Sequence, residues 1–258
     1  MEGFMDLKKL FATAQENLEF LGVSLIVIIG VFIVAKVAER LMHMENNPRI
    51  RTRKIAVIGI FSAISGVLMF MELPLWFAPG FYELDFSEVP VLICAFAYGP
   101  VAGVIAELCK ILVKLFLKGT STVFVGDLAN FVVGCALILP ASIIYHIKKS
   151  RKAALIGLGT GTVIMTIFGS VFNAIYLIPA FAKLFMPMDA LIGMGTAVNP
   201  SITSVGTLVM FAVVPFNLLK CVADSIITFL LYKPLSPIIH AQHEHGKRTK
   251  RAEAVKQE

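Results

Sequence analysis

Charge is scarce here. Asp, Glu, Lys and Arg make up 16% of the 258 residues, against about 25% in soluble domains. The few charges come in clumps separated by long uncharged runs, which a water-soluble surface does not tolerate. Histidine is equally sparse: His43, His146, His240, His243 and His245 sit at the ends of apolar runs or in the tail. No Ser–His or His–Glu set falls at membrane depth, which argues against an intramembrane protease or lipid-modifying enzyme. The four cysteines, Cys94, Cys109, Cys135 and Cys221, lie inside apolar runs with no CxxC pair, so metal or redox chemistry has no support. No GxxxxGK[ST] phosphate loop occurs, so the chain carries no P-loop ATPase of its own. "GLGTGT", 157–162, follows no predicted strand and is no nucleotide loop. No clear pair of inverted repeats is present, as a secondary transporter of that design would need.

What is abundant is apolar. Hydrophobic residues are 57% of the chain and mean hydropathy is +0.83. A helix of about 20 apolar residues spans a bilayer, and several such runs follow one another. They do not alternate with period two, so a β-barrel is excluded. The runs fall at 20–35, 55–77, 89–117, 124–145, 153–178 and 203–232. The third is too long for one straight span and contains Tyr98-Gly99-Pro100. Proline removes a donor and disfavours helix at the residue before it, so two short helices are expected, about 88–98 and 100–118. The fold class is therefore an all-α membrane protein. It has a six-helix core over 49–235 and one extra N-terminal transmembrane helix with its linker over 20–48.

Three basic clusters set the orientation: "RIRTRK" 49–54, "KKSRK" 148–152 and "KRTKR" 247–251. Lys and Arg concentrate on the cytoplasmic side, which places the basic tail, 236–258, inside. The net charge of +6 belongs to these clusters and points to no nucleic acid. The loops 77–88, 118–123 and 179–202 then fall outside. The leader 1–19 carries Glu2, Asp6, Glu16 and Glu19, which favours a retained helix over a cleaved signal peptide. Phe4, Leu7, Phe11, Ala14 and Leu18 recur at 3–4 spacing, as in an interfacial amphipathic helix.

Polar groups inside the runs cost about 2.5–3.5 kcal/mol each when ionisable and face a bundle interior. Glu107, Lys110 and Lys114 share one helical face, as do Asn217, Lys220 and Asp224. Lys220 and Asp224 could pair structurally. Asn173 lies deep in the fifth core helix, and Asp127 and Asn130 begin the fourth. Asn173, Asn217 and Lys220 supply amides and a cation suited to a solute with carbonyls and ring nitrogens. Pro215 breaks a helix hydrogen bond near them, which a cavity would tolerate. The outer loop "LPLWFAPGFYELDFSEVP" is rich in aromatics able to cover a flat ligand. Its Ser87 is placed to N-cap the next helix. Small residues at spacing four, including Gly157/Gly161, permit close helix contact.

Four blocks together resemble the riboflavin-specific substrate-binding (S) subunit of energy-coupling factor transporters: "LDFSEVPVLICAFAYGPVAGVIAELCKILVKLF", "GDLANFVVG", "GTVIMTIFGSVFNAIYLIPAF" and "VVPFNLLKCVADSIITFLLY". The likeness runs from about 52 to 233. It implies a multi-pass protein of the bacterial plasma membrane, with a C-terminus in the cytoplasm. It implies riboflavin as transported ligand rather than cofactor, captured with high affinity. It also implies partners: a transmembrane coupling (T) subunit and two ATPase subunits that hydrolyse ATP. Asn173 and Lys220 match the family's flavin-ring contacts. Asp85 with Phe86 belongs to the gating loop, and Asp127 and Asn130 match a "GxLANF" block with a less direct ribityl role. The coupling face, often Ala-xxx-Ala, reads Gly59-xxx-Ala63. The extra helix and the long 179–202 loop depart from the plain pattern. The rival readings are an S subunit for another vitamin or precursor, and a membrane enzyme or channel.

Overall fold

The computed structural model describes residues 18–44, 51–120, 124–232 and 234. Residues 1–17 of the leader, the 49–50 part of the first basic cluster and the tail lie outside the described residues. Helix α1 covers Leu18–Leu41 and α2 covers Arg51–Leu68. The apolar run continues to residue 77, but the helix does not. Pro74 cannot donate and disfavours helix at Leu73. Leu73–Pro74 instead forms β1, paired antiparallel with β2, Glu83–Leu84, in the register Leu73↔Leu84 and Pro74↔Glu83. The outer loop is thus a short hairpin flap.

Helix α3 is Glu88–Tyr98 and α4 is Pro100–Lys118, the split expected from the sequence. Gly99 turns the chain at φ 100°, a left-handed value that disfavours any residue with a Cβ. Pro100 opens α4 at the first-turn position where a missing N–H is harmless. Ser87 does not cap α3. Its backbone is already helical and its hydroxyl has no hydrogen-bond partner among the described residues. The Asp85 carboxylate instead braces the turn that leads into the helix, accepting from the Ser87 N–H at 2.9 Å.

Helix α5, Val125–Lys148, and α6, Arg151–Phe172, form the long hairpin of the bundle. Ser150 caps α6, its hydroxyl accepting from the Ala153 N–H at 3.1 Å. At Gly157 an added Cβ would lie 2.6 Å from the Ala141 carbonyl oxygen. Only glycine lets these two backbones meet. A π turn, Asn173–Leu177, joins α6 to α7, Ile178–Leu184. The stretch 179–202 is not a loop: it holds most of α7 and all of α8, Met188–Val198. In α8, Leu191 and Gly195 are buried one turn apart, so the segment has a face to pack and folds as helix. Pro187 and Asn199 bound it. After α9, Val205–Leu208, and a second π turn, Val209–Val213, α10 runs over 214–232.

Helix α4 is central, flanked by α1, α2, α3 and α5. Both faces of α1 are apolar: Ala35 is buried, while Ile26, Ile29 and Ile33 are exposed. The stretches Val125–Lys148, Arg151–Lys183 and Val205–Tyr232 are each long and apolar enough to cross a membrane. One end of the bundle packs Phe96, Tyr145 and Tyr232 together. The other end holds Tyr82, Leu191, Leu208 and Phe216, and the polar residues gather on that side.

Candidate functional site

Two prolines shape this end. Pro179 and Pro215 each lack the N–H that a regular helix would need, and each ring crowds the carbonyl four residues back. Those carbonyls belong to Ile175 and Phe211, the midpoints of the two π turns. Each wider turn absorbs the clash and swings the next helical face. The two π turns pack against each other. Asn173 opens the first, and Asn217 and Lys220 lie one and two turns beyond the second. The prolines thereby set where three polar side chains point.

Asn173 is buried. Its Nδ2 donates to the Gly169 carbonyl at 2.7 Å, and its Oδ1 accepts from the Tyr82 hydroxyl at 2.7 Å. Asn217, also buried, donates to Ser170 Oγ at 3.4 Å. Lys220 Nζ reaches Asp85 Oδ2 at 2.7 Å, and both side chains are buried. An ion pair therefore ties α10 to the flap across 135 residues of sequence. The pairing weighed from the sequence, Lys220 with Asp224, does not form. Asp224 is buried with neither carboxylate oxygen hydrogen-bonded among the described residues.

Helix α4 supplies a second charged layer. Lys110 Nζ lies 2.8 Å from Glu88 Oε1 and 2.6 Å from Glu107 Oε1. Lys114 Nζ lies 2.6 Å from Asp127 Oδ1. The shared face of Glu107, Lys110 and Lys114 thus looks inward, as their spacing requires. The Ser65 hydroxyl donates to the Ser87 carbonyl, binding α2 to the start of α3.

These groups surround a cavity of about 200 Å³. Asn173, Asn217, Lys220, Asp85 and Asn130 all line it, with Phe81, Tyr82, Phe181 and Phe216 as aromatic walls. Tyr82 sits 5.2 Å from Phe216 and 4.6 Å from Phe81, ring centre to ring centre. Phe86 and Asp127 are not among the lining residues; Asp127 instead holds Lys114, which is. Gly59 and Ala63 lie far from the cavity in kind: both are exposed on α2, and nothing lies within 4 Å of a Cβ added at Gly59.

The flap's own groups titrate unusually. Burial alone would raise the Asp85 carboxyl. The Lys220 and Lys110 ammoniums, with the hydrogen bonds from Lys220 and Ser87, hold it below the ordinary aspartate value. A lowered carboxyl contributes stability above its unfolded pKa, about 3.9, and that contribution fades as pH falls through the lower folded value. Flap closure by Asp85 is therefore intact throughout the neutral range. Burial pushes the Tyr82 phenol up, so it remains a hydrogen-bond donor.

Sequence periodicity located the polar helical faces but missed three contributors. Tyr82 was one aromatic among several, and nothing local marks it as the partner of Asn173. Glu88, at the start of α3, pairs with Lys110 on a different helix, which spacing along one helix does not report. Lys114 was seen on its face without its cavity. The prolines at 179 and 215 were the available signal for the π turns.

The model of the family described as "ECF transporter, substrate-specific component" matches residues 53–232. The riboflavin transporter RibU of Staphylococcus aureus (strain TCH60) is 35% identical over 198 residues, covering 76% of this chain and 95% of that protein. The riboflavin transporter FmnP of Bacillus subtilis (strain 168) is 31% identical over 193 residues, covering 74% and 96%. A solved structure described as the S component of a bacterial ECF transporter aligns with a TM-score of 0.57 at 34% identity. It covers 73% of this chain and 98% of that one.

Proposed function

Since the chain belongs to the family of ECF transporter substrate-specific components, we propose that it binds riboflavin in the cavity beneath the flap and delivers it for import. The observation that carries this reading is the convergence of Asn173, Asn217, Lys220 and Asp85 on one aromatic-walled cavity. The isoalloxazine ring stacks among Phe81, Tyr82, Phe181 and Phe216, and the Asn173 amide and Lys220 ammonium meet its carbonyls and ring nitrogens. Offset aromatic contacts of this kind add about 0.5–1.5 kcal/mol each beyond area burial, which supports high affinity. The cavity volume is below the roughly 300–1,000 Å³ usual for ligand sites. Tyr82 therefore occupies ligand space, and riboflavin enters as the flap lifts Tyr82 off Asn173.

Energy for release comes from partners: a T subunit and two ATPases. The exposed Gly59–Ala63 face of α2 is the docking surface for the T subunit. The vitamin-binding unit spans 49–235, the extra helix with its linker lies at 20–48, and the basic tail faces the cytoplasm. Topology is testable by cysteine labelling of the tail in sealed cells. For the ligand, protein purified from rich medium is expected to show flavin absorbance bands. Lys220→Ala and Asn173→Ala should each weaken riboflavin binding at least tenfold in a fluorescence-quenching titration. A colourless wild-type protein that does not quench riboflavin, or unchanged affinity in both variants, would refute the assignment.

A further inference from the structure

The cavity has two dissimilar sides. The first π turn, α7, α10 and the flap make an aromatic and amide side, with Asn173, Phe181, Phe216 and Tyr82. The segment after α2, the flap strand β2, α3, α4 and α5 make an ionic side, with Glu72, Glu83, Glu88, Lys114 and Asn130. Riboflavin is likewise two-sided, a planar ring bearing a polyol chain. With the ring on the aromatic side, the polyol runs to the ionic side. Its terminal hydroxyl is the atom that carries phosphate in phosphorylated flavins.

The charges on the ionic side do not balance. Asp85 is paired with Lys220, Glu88 and Glu107 share Lys110, and Lys114 is paired with Asp127. Glu72 is paired with Lys118. Glu83 is exposed, lines the cavity, and has no ion pair of its own among the described residues. Strand pairing sets Glu83 opposite Pro74, two residues from Glu72, and both carboxylates line the cavity, within the field of the Lys118 ammonium. One cation therefore serves two carboxylates at the solvent-facing rim. We infer that Glu83, together with Glu72, is a specificity-determining pair that disfavours flavins bearing a terminal phosphate. The inference rests on the proposed riboflavin site.

The pair is half in water, so its repulsion is a tuning effect, screened by salt within about 10 Å at 0.1 M. A phosphate carries close to two negative charges at pH 8, and each meets the surplus carboxylate. The experiment measures dissociation constants for riboflavin and for flavin mononucleotide at pH 8, in 20 mM and 500 mM NaCl. It compares wild type, Glu83→Gln and Glu83→Lys in detergent-purified full-length protein.

The isosteric Glu83→Gln should narrow the mononucleotide-to-riboflavin ratio by about tenfold at low salt, the scale expected for a dianion near one partly screened charge. Glu83→Lys should narrow it further. High salt should narrow the wild-type ratio and leave that of Glu83→Gln nearly unmoved. A ratio unchanged in both variants, in protein that binds riboflavin, overturns this inference alone and assigns any discrimination to shape. Failure of wild type to bind riboflavin overturns the proposed function and this inference with it.

Discussion

The two ends of the bundle handle polar groups in opposite ways. At the Phe96–Tyr145–Tyr232 end, the contacts are chiefly aromatic: the two tyrosine hydroxyls lie 3.2 Å apart and the rings pack edge to face. Nearby, Gly157 brings α5 and α6 into backbone contact. At the flap end, four buried acids meet three buried lysines, and two helices carry π turns. Ion pairs in a low-dielectric interior seldom repay their desolvation, so these do not exist to stabilise the fold. The contrast teaches a division of labour: one end is packed to stay shut, and the other pins a flap through buried polar contacts.

The largest test of that contrast is a double-mutant cycle on the flap latch. Lys220→Met alone leaves Asp85 buried and uncompensated, and should cost about 3–5 kcal/mol of stability. Combining it with Asp85→Leu should cost far less than the sum of the singles. Thermal unfolding in detergent measures both; additive losses would mean that the pair is uncoupled. A smaller effect is expected at the closed end. Gly157→Leu forces α5 from α6 and should cost about 1–3 kcal/mol, lowering Tm, while the folded fraction keeps its riboflavin affinity. A selective loss of binding there would erase the distinction between the ends. The smallest effect is Tyr82→Phe. It removes one hydrogen bond worth about 1 kcal/mol from the closed flap and should speed riboflavin association about fivefold in stopped-flow quenching.

Much of the fold was legible because helical periodicity reports burial. The inward face of Glu107, Lys110 and Lys114, and that of Asn217 and Lys220, follow from spacing alone. The break at Tyr98-Gly99-Pro100 follows from backbone chemistry. What spacing cannot report is pairing between distant segments. Lys220 had a neighbour of opposite charge four residues on, Asp224, yet the flap brings Asp85 to it instead. Tyr82 reaches Asn173 across 91 residues for the same reason. The end of α2 and the helix α8 were misread because hydropathy alone extends a span through Pro74 and leaves the shorter segment 188–198 as loop. In both places the deciding influence was local: a missing donor in one, a single buried face in the other.

The extra helix α1 is more than an appendage beside the bundle. Its Glu39 carboxylate accepts the Val101 N–H at 3.1 Å, completing the first turn of α4 from a different part of the chain. A Cβ at Gly99 would strike Glu39 and Met44, so the α3–α4 corner and the end of α1 are fitted to one another. Trimming α1 would strip an acceptor from the bundle's central helix, and any tilting of the bundle in the bilayer must take α1 along as a fixed passenger.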